Sequence, residues 1–573
     1  MSWLFNYKGI YELMECHKIM KKIVNLLLAV LLLQSVLFAA VQEKPIVVRL
    51  NEELVPVIKN DIVRFDLPGL SMAVVADGKI IWAKGFGYAD REEKIPAAPE
   101  TVYRVGSISK LFNAVGIMLL EEKQKVSLDE NIEKYLPAAC FENPFDEPAE
   151  ITLRHILSHR PGTIRECSIG HYFDDTEPSQ AATAASLFGT TLVYPPGTKT
   201  KYSNSAIGLS GYILETVTGT QYHKYQKQFV LQPLGMNSSG FIKEKSFQDK
   251  VAKGYMRDID DNQWEAPDFR FGYLSAANLY SSVVDMAKFI NLMCNDGAPL
   301  LQPDTFTKMT TIQFEPKETK RGFGLGFMVS QMHDETTLGH NGAVYGFSSA
   351  LRVLPEKNLG AICLMNLDGA NGIDDKYIQF ALDIALDEMT DQKHLDIPTI
   401  IDIPVSRLQK LAGRYQKDDS VIWLTPRKGK LHYQPLGAGM QLSAVSENEF
   451  ITDDYCGCGE KISVIREQQK VTGVKINNTL YTRTDEQKLD EPFPWKNLIG
   501  EYGPDYNVTK VYEKDGCLNV LIEWFYEYPL QHTKDLRFAF PAGLYHGEEL
   551  IFIESGGKAH KIQFSGVTFN RRN

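Results

Sequence analysis

The sequence predicts an α+β protein: an antiparallel sheet covered by helices over about residues 45–391, then two small all-β units at 405–486 and 490–573. Three observations predict it. Strand-like and helix-like periodicities mix as far as Thr390. A Pro- and Asp-containing linker, assigned to 392–404 within "HLDIPTIIDIPVS", ends that zone. Beyond it the periodicity is short-range and turn-rich, and one segment occurs twice. A chain of 573 residues also exceeds what one compact core accommodates.

Residues 1–40 precede the fold. Lys21 and Lys22 lead into "IVNLLLAVLLLQSVLFAA", a basic n-region and an apolar h-region ending in small residues, with a cut expected near Ala39 or Ala40. Residues 1–19 fit neither signal nor fold, and Met20 reads as the natural start. Export to a periplasm or the outside is expected; left uncleaved, the run would tether the chain to a membrane, although it is marginal for a full span.

In the mixed zone, "LSMAVVADGKIIWAKGFGYA" holds two β-rich runs around Asp77-Gly78, a hairpin signal. A helix follows Ser107. "SSVVDMAKFINLMCNDG" places Ser282 as N-cap, Asp285 three residues on, apolar residues at Met286, Phe289, Ile290 and Met293, and Gly297 as terminator. "GFGLGFMVSQ" and "GFSSALRVLPEKNLGAICLMN" read as strands, and "IDDKYIQFALDIALDEM" as the closing helix. In the β-rich zone "LQKLAGRYQ" is echoed by "WKNLIGEYG", and "TLYTRTD" by "VTFNRRN", so two consecutive barrel or sandwich units are expected.

Charge and cysteines narrow the chemistry. Lys plus Arg total 61 against 72 Asp plus Glu, a net charge of −11, which disfavours nucleic acid as a partner. Seven cysteines follow Cys16 without a disulfide framework; "CGCG" at Cys456–Gly459 reads as a turn with at most one bridge, to Cys517. Its two thiols lack the further ligands a metal needs. His155 and His159, spaced i and i+4, are likewise assigned to structural hydrogen bonding. No metal and no cofactor is expected.

The stretch "YRVGSISKLFNAVGIMLLEE" raises a sharper question, because Ser107 can cap the helix or act as a nucleophile with Lys110 as its base. A composition like this yields roughly two Ser-x-x-Lys matches by chance. "SGGK" at Ser555–Lys558 is the other, and it has no companions. Ser107 has them: "YPPGTKTKYSNSAIGLSGYILETVTG" supplies Tyr202-Ser203-Asn204 and "TLGHNGAVYGFSSALRVLP" supplies His340-Asn341-Gly342, the only Tyr-x-Asn and His-x-Gly in the chain. With "ITLRHILSHRPG", "PLGMNSSGF" and "NLYSSVVDMAKF" in the same order, residues 60–390 resemble the serine β-lactamase and penicillin-binding protein superfamily. The branch is that of class C β-lactamases, D-peptidases, D-aminopeptidases and related esterases.

The resemblance implies a β-lactamase-like catalytic domain with barrel or lipocalin-like units behind it. It implies that Ser107 attacks a carbonyl, with Lys110 and Tyr202 a coupled proton-transfer pair in which Lys110 acidifies the phenol. Asn204 would hold the acyl-side amide and orient Lys110; the N–H groups of Ser107 and Ala343 would form the oxyanion hole, and Gly342 would permit close backbone approach. His340 stands where many relatives have Lys, which leaves the site less committed to an anionic substrate end. Ala277-Asn278 replaces the usual Gly-Gly, in a segment expected to border the cleft. The implied function is an exported serine hydrolase acting through an acyl-enzyme on D-residue peptides or short esters. The alternatives are a penicillin-binding protein or weak β-lactamase, whose partner is a β-lactam, and a non-catalytic scaffold.

Overall fold

The computed structural model describes residues 45–572 except 317, 391, 396, 419, 428, 436, 485–493, 515 and 542. The apolar segment assigned to export lies outside the described residues. No helix among the described residues is long and apolar enough to cross a membrane. Of the described residues, those from Leu54 onward form one compact unit, which contains the sheet domain and the β-rich region.

The Asp77-Gly78 pair takes left-handed φ of 50° and 75°, the conformation a two-residue hairpin with primed geometry needs, and joins strands Gly69–Ala76 and Lys79–Asp90. Gly69–Ala76, buried at every position, also pairs with Leu359–Met365 in the register Leu70↔Met365 to Ala76↔Leu359. The antiparallel sheet has eight strands. It runs from Ile95–Pro96 through that hairpin to Leu359–Met365, Phe347–Leu354, Glu335–Val344, Met328–Met332 and Gly322–Phe323. Helices Val283–Cys294 and Asn371–Thr390 pack on its central strands. Ser282 caps the former as its spacing predicts, accepting from Asp285 N–H at 3.2 Å.

Helix Ser109–Glu122 is buried from Ser109 to Leu120 on every face, as an apolar helix inside a core must be. Phe112 stacks on Phe289 of the neighbouring helix with centroids 4.1 Å apart. Ser107 is not its cap. It sits in a 3₁₀ turn, Gly106–Ile108, that runs directly into the α-helix at Ser109, and Gly106 holds φ +52°.

The β-rich region follows the predicted duplication in its local bonds. The Tyr415 hydroxyl donates to Leu411 O at 2.7 Å, and the Tyr502 hydroxyl donates to Leu498 O at 2.7 Å. Arg483 lies over the Tyr415 ring and Arg571 over the Tyr502 ring, at 5.9 and 5.7 Å. The two copies then diverge. Gly413–Thr484 forms a closed eight-stranded barrel whose core is a cluster of its own. The second copy is two five-stranded sheets joined by the bridge Tyr502↔Arg571, and one sheet borrows Gly437–Ala438 from the barrel's loop. Its apolar core is continuous with that of the sheet domain, through contacts such as Phe173–Phe569 and Trp264–Trp524. Cys456 and Cys458 are free thiols, so the bridge considered for the CGCG turn is not formed.

Candidate active site

Three backbone segments converge beside Ser107. Helix Asn204–Thr218 starts immediately after Tyr202, its N-cap Ser203 accepting from Ala206 N–H at 3.1 Å. Strand Glu335–Val344 carries His340, Gly342 and Ala343 along the Gly106–Ile108 turn, so the histidine triplet lies inside this strand. A Cβ on Gly342 would come within 2.1 Å of Val105 O and 2.3 Å of Ser349 Oγ. Only glycine permits that approach. A Cβ on Gly106 would in turn lie 2.7 Å from Ala343 N, so the Ala343 amide adjoins the turn that bears Ser107.

Lys110 is fully buried, and its Nζ stands 2.9 Å from each of Ser107 Oγ, Asn204 Oδ1 and Ala276 O. Two of these partners are carbonyl oxygens, which only accept. The third is a hydroxyl, which can donate. A neutral amine satisfies the set by giving two N–H bonds to the carbonyls and its lone pair to the Ser107 proton. Burial favours that state, since it pushes the Lys110 pKa well below the usual lysine range; Arg165 pushes it further down, while Glu166 opposes both.

Tyr202 lies beside Ser107, whose hydroxyl acts on its phenol, and Lys110 Nζ sits 4.9 Å from its ring centroid. Its phenol is not acidified, contrary to the expectation from sequence. Burial raises its pKa above the usual tyrosine value, and the Ser107 hydroxyl and Arg165 offset this only in part. His159 stacks beneath the Tyr202 ring at 4.1 Å and accepts Ser203 N–H at Nδ1, so its role is structural support within the site.

Asn204 is engaged at both ends. Its Oδ1 faces Lys110 and its Nδ2 donates to Glu166 Oε1 at 2.8 Å. His340 is 4 % exposed, and its Nδ1 bonds Asn341 O, which makes Nδ1 the protonated nitrogen. Nε2 has no protein partner among the described residues and is left as a bare acceptor. Burial, reinforced by Lys110, pushes the His340 pKa down to about 3, so the ring is neutral near pH 7. Asn278 does not border this site: it is 1 % exposed, spans Phe271 O and N–H, and accepts from Arg104.

Sequence reasoning missed Arg165 and Glu166. Glu166 is 1 % exposed and accepts from Asn204 Nδ2 and from the Tyr273 hydroxyl at 2.9 Å; Arg165 Nε lies 3.1 Å from its Oε1 as an ion pair off hydrogen-bond geometry. No short motif marks "RECS". Among the described residues, no group of His, Cys, Asp and Glu is placed to hold a metal.

An antiparallel sheet with a buried Ser-x-x-Lys helix behind it, faced by Tyr-x-Asn and His-x-Gly, defines a β-lactamase-fold serine hydrolase class. The chain belongs to the Beta-lactamase family, whose model matches residues 57–386. Protein flp of Staphylococcus aureus strain MRSA252 is 25% identical over 321 residues, 56% of this chain and 63% of that protein. Beta-lactamase-like protein 2 of Dictyostelium discoideum is 27% identical over 273 residues, 47% of this chain and 50% of that protein. The match thus spans under two thirds of either relative. Among solved structures, the octameric penicillin-binding protein homologue from Pyrococcus abyssi superimposes with a TM-score of 0.56 at 25% identity, covering 83% of this chain and 99% of that one. EstCE1, a hydrolase with promiscuous acyltransferase activity, shares the fold with a TM-score of 0.51 at 22% identity, over 58% of this chain and 98% of its own.

Proposed function

We propose that the protein is an exported serine hydrolase that cleaves amide or ester bonds through an acyl-enzyme on Ser107. The observation that carries the reading is Ser107 Oγ held at 2.9 Å by a buried Lys110 amine whose Nζ also lies 4.9 Å from the Tyr202 ring centroid. Lys110 takes the hydroxyl proton as Oγ bonds to the carbonyl carbon, and the N–H groups of Ser107 and Ala343 meet the developing oxyanion. Tyr202, a phenol at neutral pH, gives its proton to the leaving nitrogen or oxygen as the bond to carbon breaks, and recovers one from Lys110. Water, deprotonated by the same pair, then releases the acid.

The uncharged His340 ring beside Tyr202 supports a D-residue peptide or a short ester as substrate. A fixed cation would reward a carboxylate end, whereas neutral His340 places no such charge beside Tyr202. Export rests on the Lys21-Lys22 and apolar pattern of the N-terminal sequence.

The test is the intact mass of the purified full chain after fluorophosphonate treatment, with Ser107→Ala alongside. One adduct on the wild type and none on the variant supports the reading; an unlabelled wild type overturns it. Rates on a D-residue amide, a short-chain ester and a chromogenic cephalosporin then rank the substrate classes, and a dominant cephalosporin rate would replace the peptide or ester assignment.

A further inference from the structure

The second C-terminal unit reaches the nucleophile's support through two side chains that no active-site motif includes. Its hairpin Phe564–Val567 turns on Ser565 and Gly566, with φ of 50° and 72°, the same primed geometry as the first hairpin of the sheet domain. The tip lies against residues 164–168: a Cβ on Gly566 would stand 3.0 Å from both Ile164 Cδ1 and Ser168 Oγ. Ser565 Oγ, buried there, accepts the Glu166 N–H at 2.9 Å. Glu548, 5 % exposed, accepts the Arg165 N–H at 3.1 Å and pairs with the Lys201 ammonium at 2.7 Å. Lys201 immediately precedes Tyr202. The same carboxylate therefore ties down the segment that carries Glu166 and the segment that carries Tyr202.

Glu166 in turn decides which way the Asn204 amide faces. A carboxylate accepts and cannot donate, so Asn204 must present Nδ2 to it. Its Oδ1 is thereby turned toward Lys110, the arrangement that leaves the amine lone pair for Ser107. We propose that Glu166 is a positioning residue for Asn204 and Lys110, and that the second C-terminal unit holds it in place through Ser565 and Glu548. The inference rests on the hydrolase reading and extends it, making that unit part of the catalytic apparatus while the barrel, with its separate core, is not.

The charges around this chain give the sign of the effect. Lys110 faces Arg165 and Glu166 from the 162–168 segment, Tyr202 from the 201–204 segment, His159, and His340 from the sheet. Glu166 faces Arg165 and Cys167 on its own segment, then Lys110, Lys201 and Tyr273. Tyr202, Tyr172 and, from the second unit, Glu523 and Tyr545 face it as well. Of these, Glu166 favours the ammonium form of Lys110. Removing its charge makes Lys110 lose its proton at lower pH.

The experiment is the rate of Ser107 modification by a fluorophosphonate, followed by intact mass on the full chain across pH, for wild type, Glu166→Gln, Glu166→Ala and Ser565→Ala. Gln keeps an acceptor oxygen for Asn204 while removing the charge, and its NH2 donates to the Tyr273 hydroxyl in place of the bond that oxygen accepted. It should hold the plateau rate within about threefold and move the acid limb down by about one pH unit. Ala loses the orientation as well and should lower the plateau by about tenfold or more, and Ser565→Ala by about threefold to tenfold. An acid limb and plateau in Glu166→Gln and Ser565→Ala that coincide with a reactive wild type would overturn the inference and leave the hydrolase reading standing. A wild type that never labels would instead remove the reading on which it rests.

Discussion

Replacing Lys110 by Met separates the charge state of this amine from its mere presence. The side chain is fully buried against Ser107, Asn204 and Ala276, and burial holds its pKa well below the ordinary value. In the unfolded chain the same lysine titrates near about 10.4. Between the two values the unfolded state binds a proton that the folded state does not, so this group's contribution to stability rises with pH. It is complete above the unfolded value and is lost as pH falls to the folded one. One proton taken up on unfolding gives a slope of about 1.4 kcal/mol per pH unit. Met fills a similar volume without titrating, and the other charges largely cancel in the difference.

The assay is urea unfolding of both proteins, following the transition that exposes the sheet domain. Moving from about pH 8.5 to about pH 9.5 should stabilise the wild type relative to Lys110→Met by about 1.4 kcal/mol. The variant should also lose about 10²-fold or more in Ser107 modification, the usual yield of a positioned base. A difference in stability that stays flat across that range would mean Lys110 remains an ordinary ammonium in the folded state, and the amine-base reasoning would fail.

Three further outcomes follow from the same geometry. His340→Lys should shift the kcat/KM ratio toward substrates with a free carboxylate over their amide or methyl ester counterparts, because it places a fixed cation where the wild-type ring is neutral. An unchanged ratio would remove His340 from substrate selection. Gly342→Ala drives a Cβ to 2.1 Å from Val105 O, so the strand must shift away from Ser107; activity should fall by at least about tenfold, with a stability loss of about 1–3 kcal/mol by thermal unfolding. Tyr415→Phe and Tyr502→Phe each remove a buried hydroxyl bond of 2.7 Å to the carbonyl four residues earlier. Each should lose about 1 kcal/mol in urea unfolding, and markedly unequal losses would contradict equivalent roles in the two copies.

Much of this protein was legible before any coordinates. The hairpin at Asp77-Gly78, the cap at Ser282 and the closing helix Asn371–Thr390 arise from bonds within one or two turns of chain, and local patterns specify local bonds. The duplication was legible for the same reason: Tyr415 and Tyr502 each bond four residues back, so the echo "LAGRYQ" and "LIGEYG" preserves a contact contained in itself. Ser107, Lys110, Tyr202, Asn204 and His340 were found because short motifs carry their spacing, and the fold brings all five together.

What the sequence could not specify were quantities set by surroundings. Tyr202 was expected as an acidified phenol, but its pKa is decided chiefly by the removal of water, which depends on everything packed around it. Glu166 carries no signature because its partners Asn204, Tyr273 and Ser565 lie 38, 107 and 399 residues away. The two copies of the β-unit read alike, yet one closes into a barrel with its own core and the other merges its core with the sheet domain. Sequence alone picked out the candidate site residues; the tertiary structure decided their charge, their orientation and which of the two trailing units packs against them. Desolvation and long-range hydrogen bonds exist only once distant segments meet.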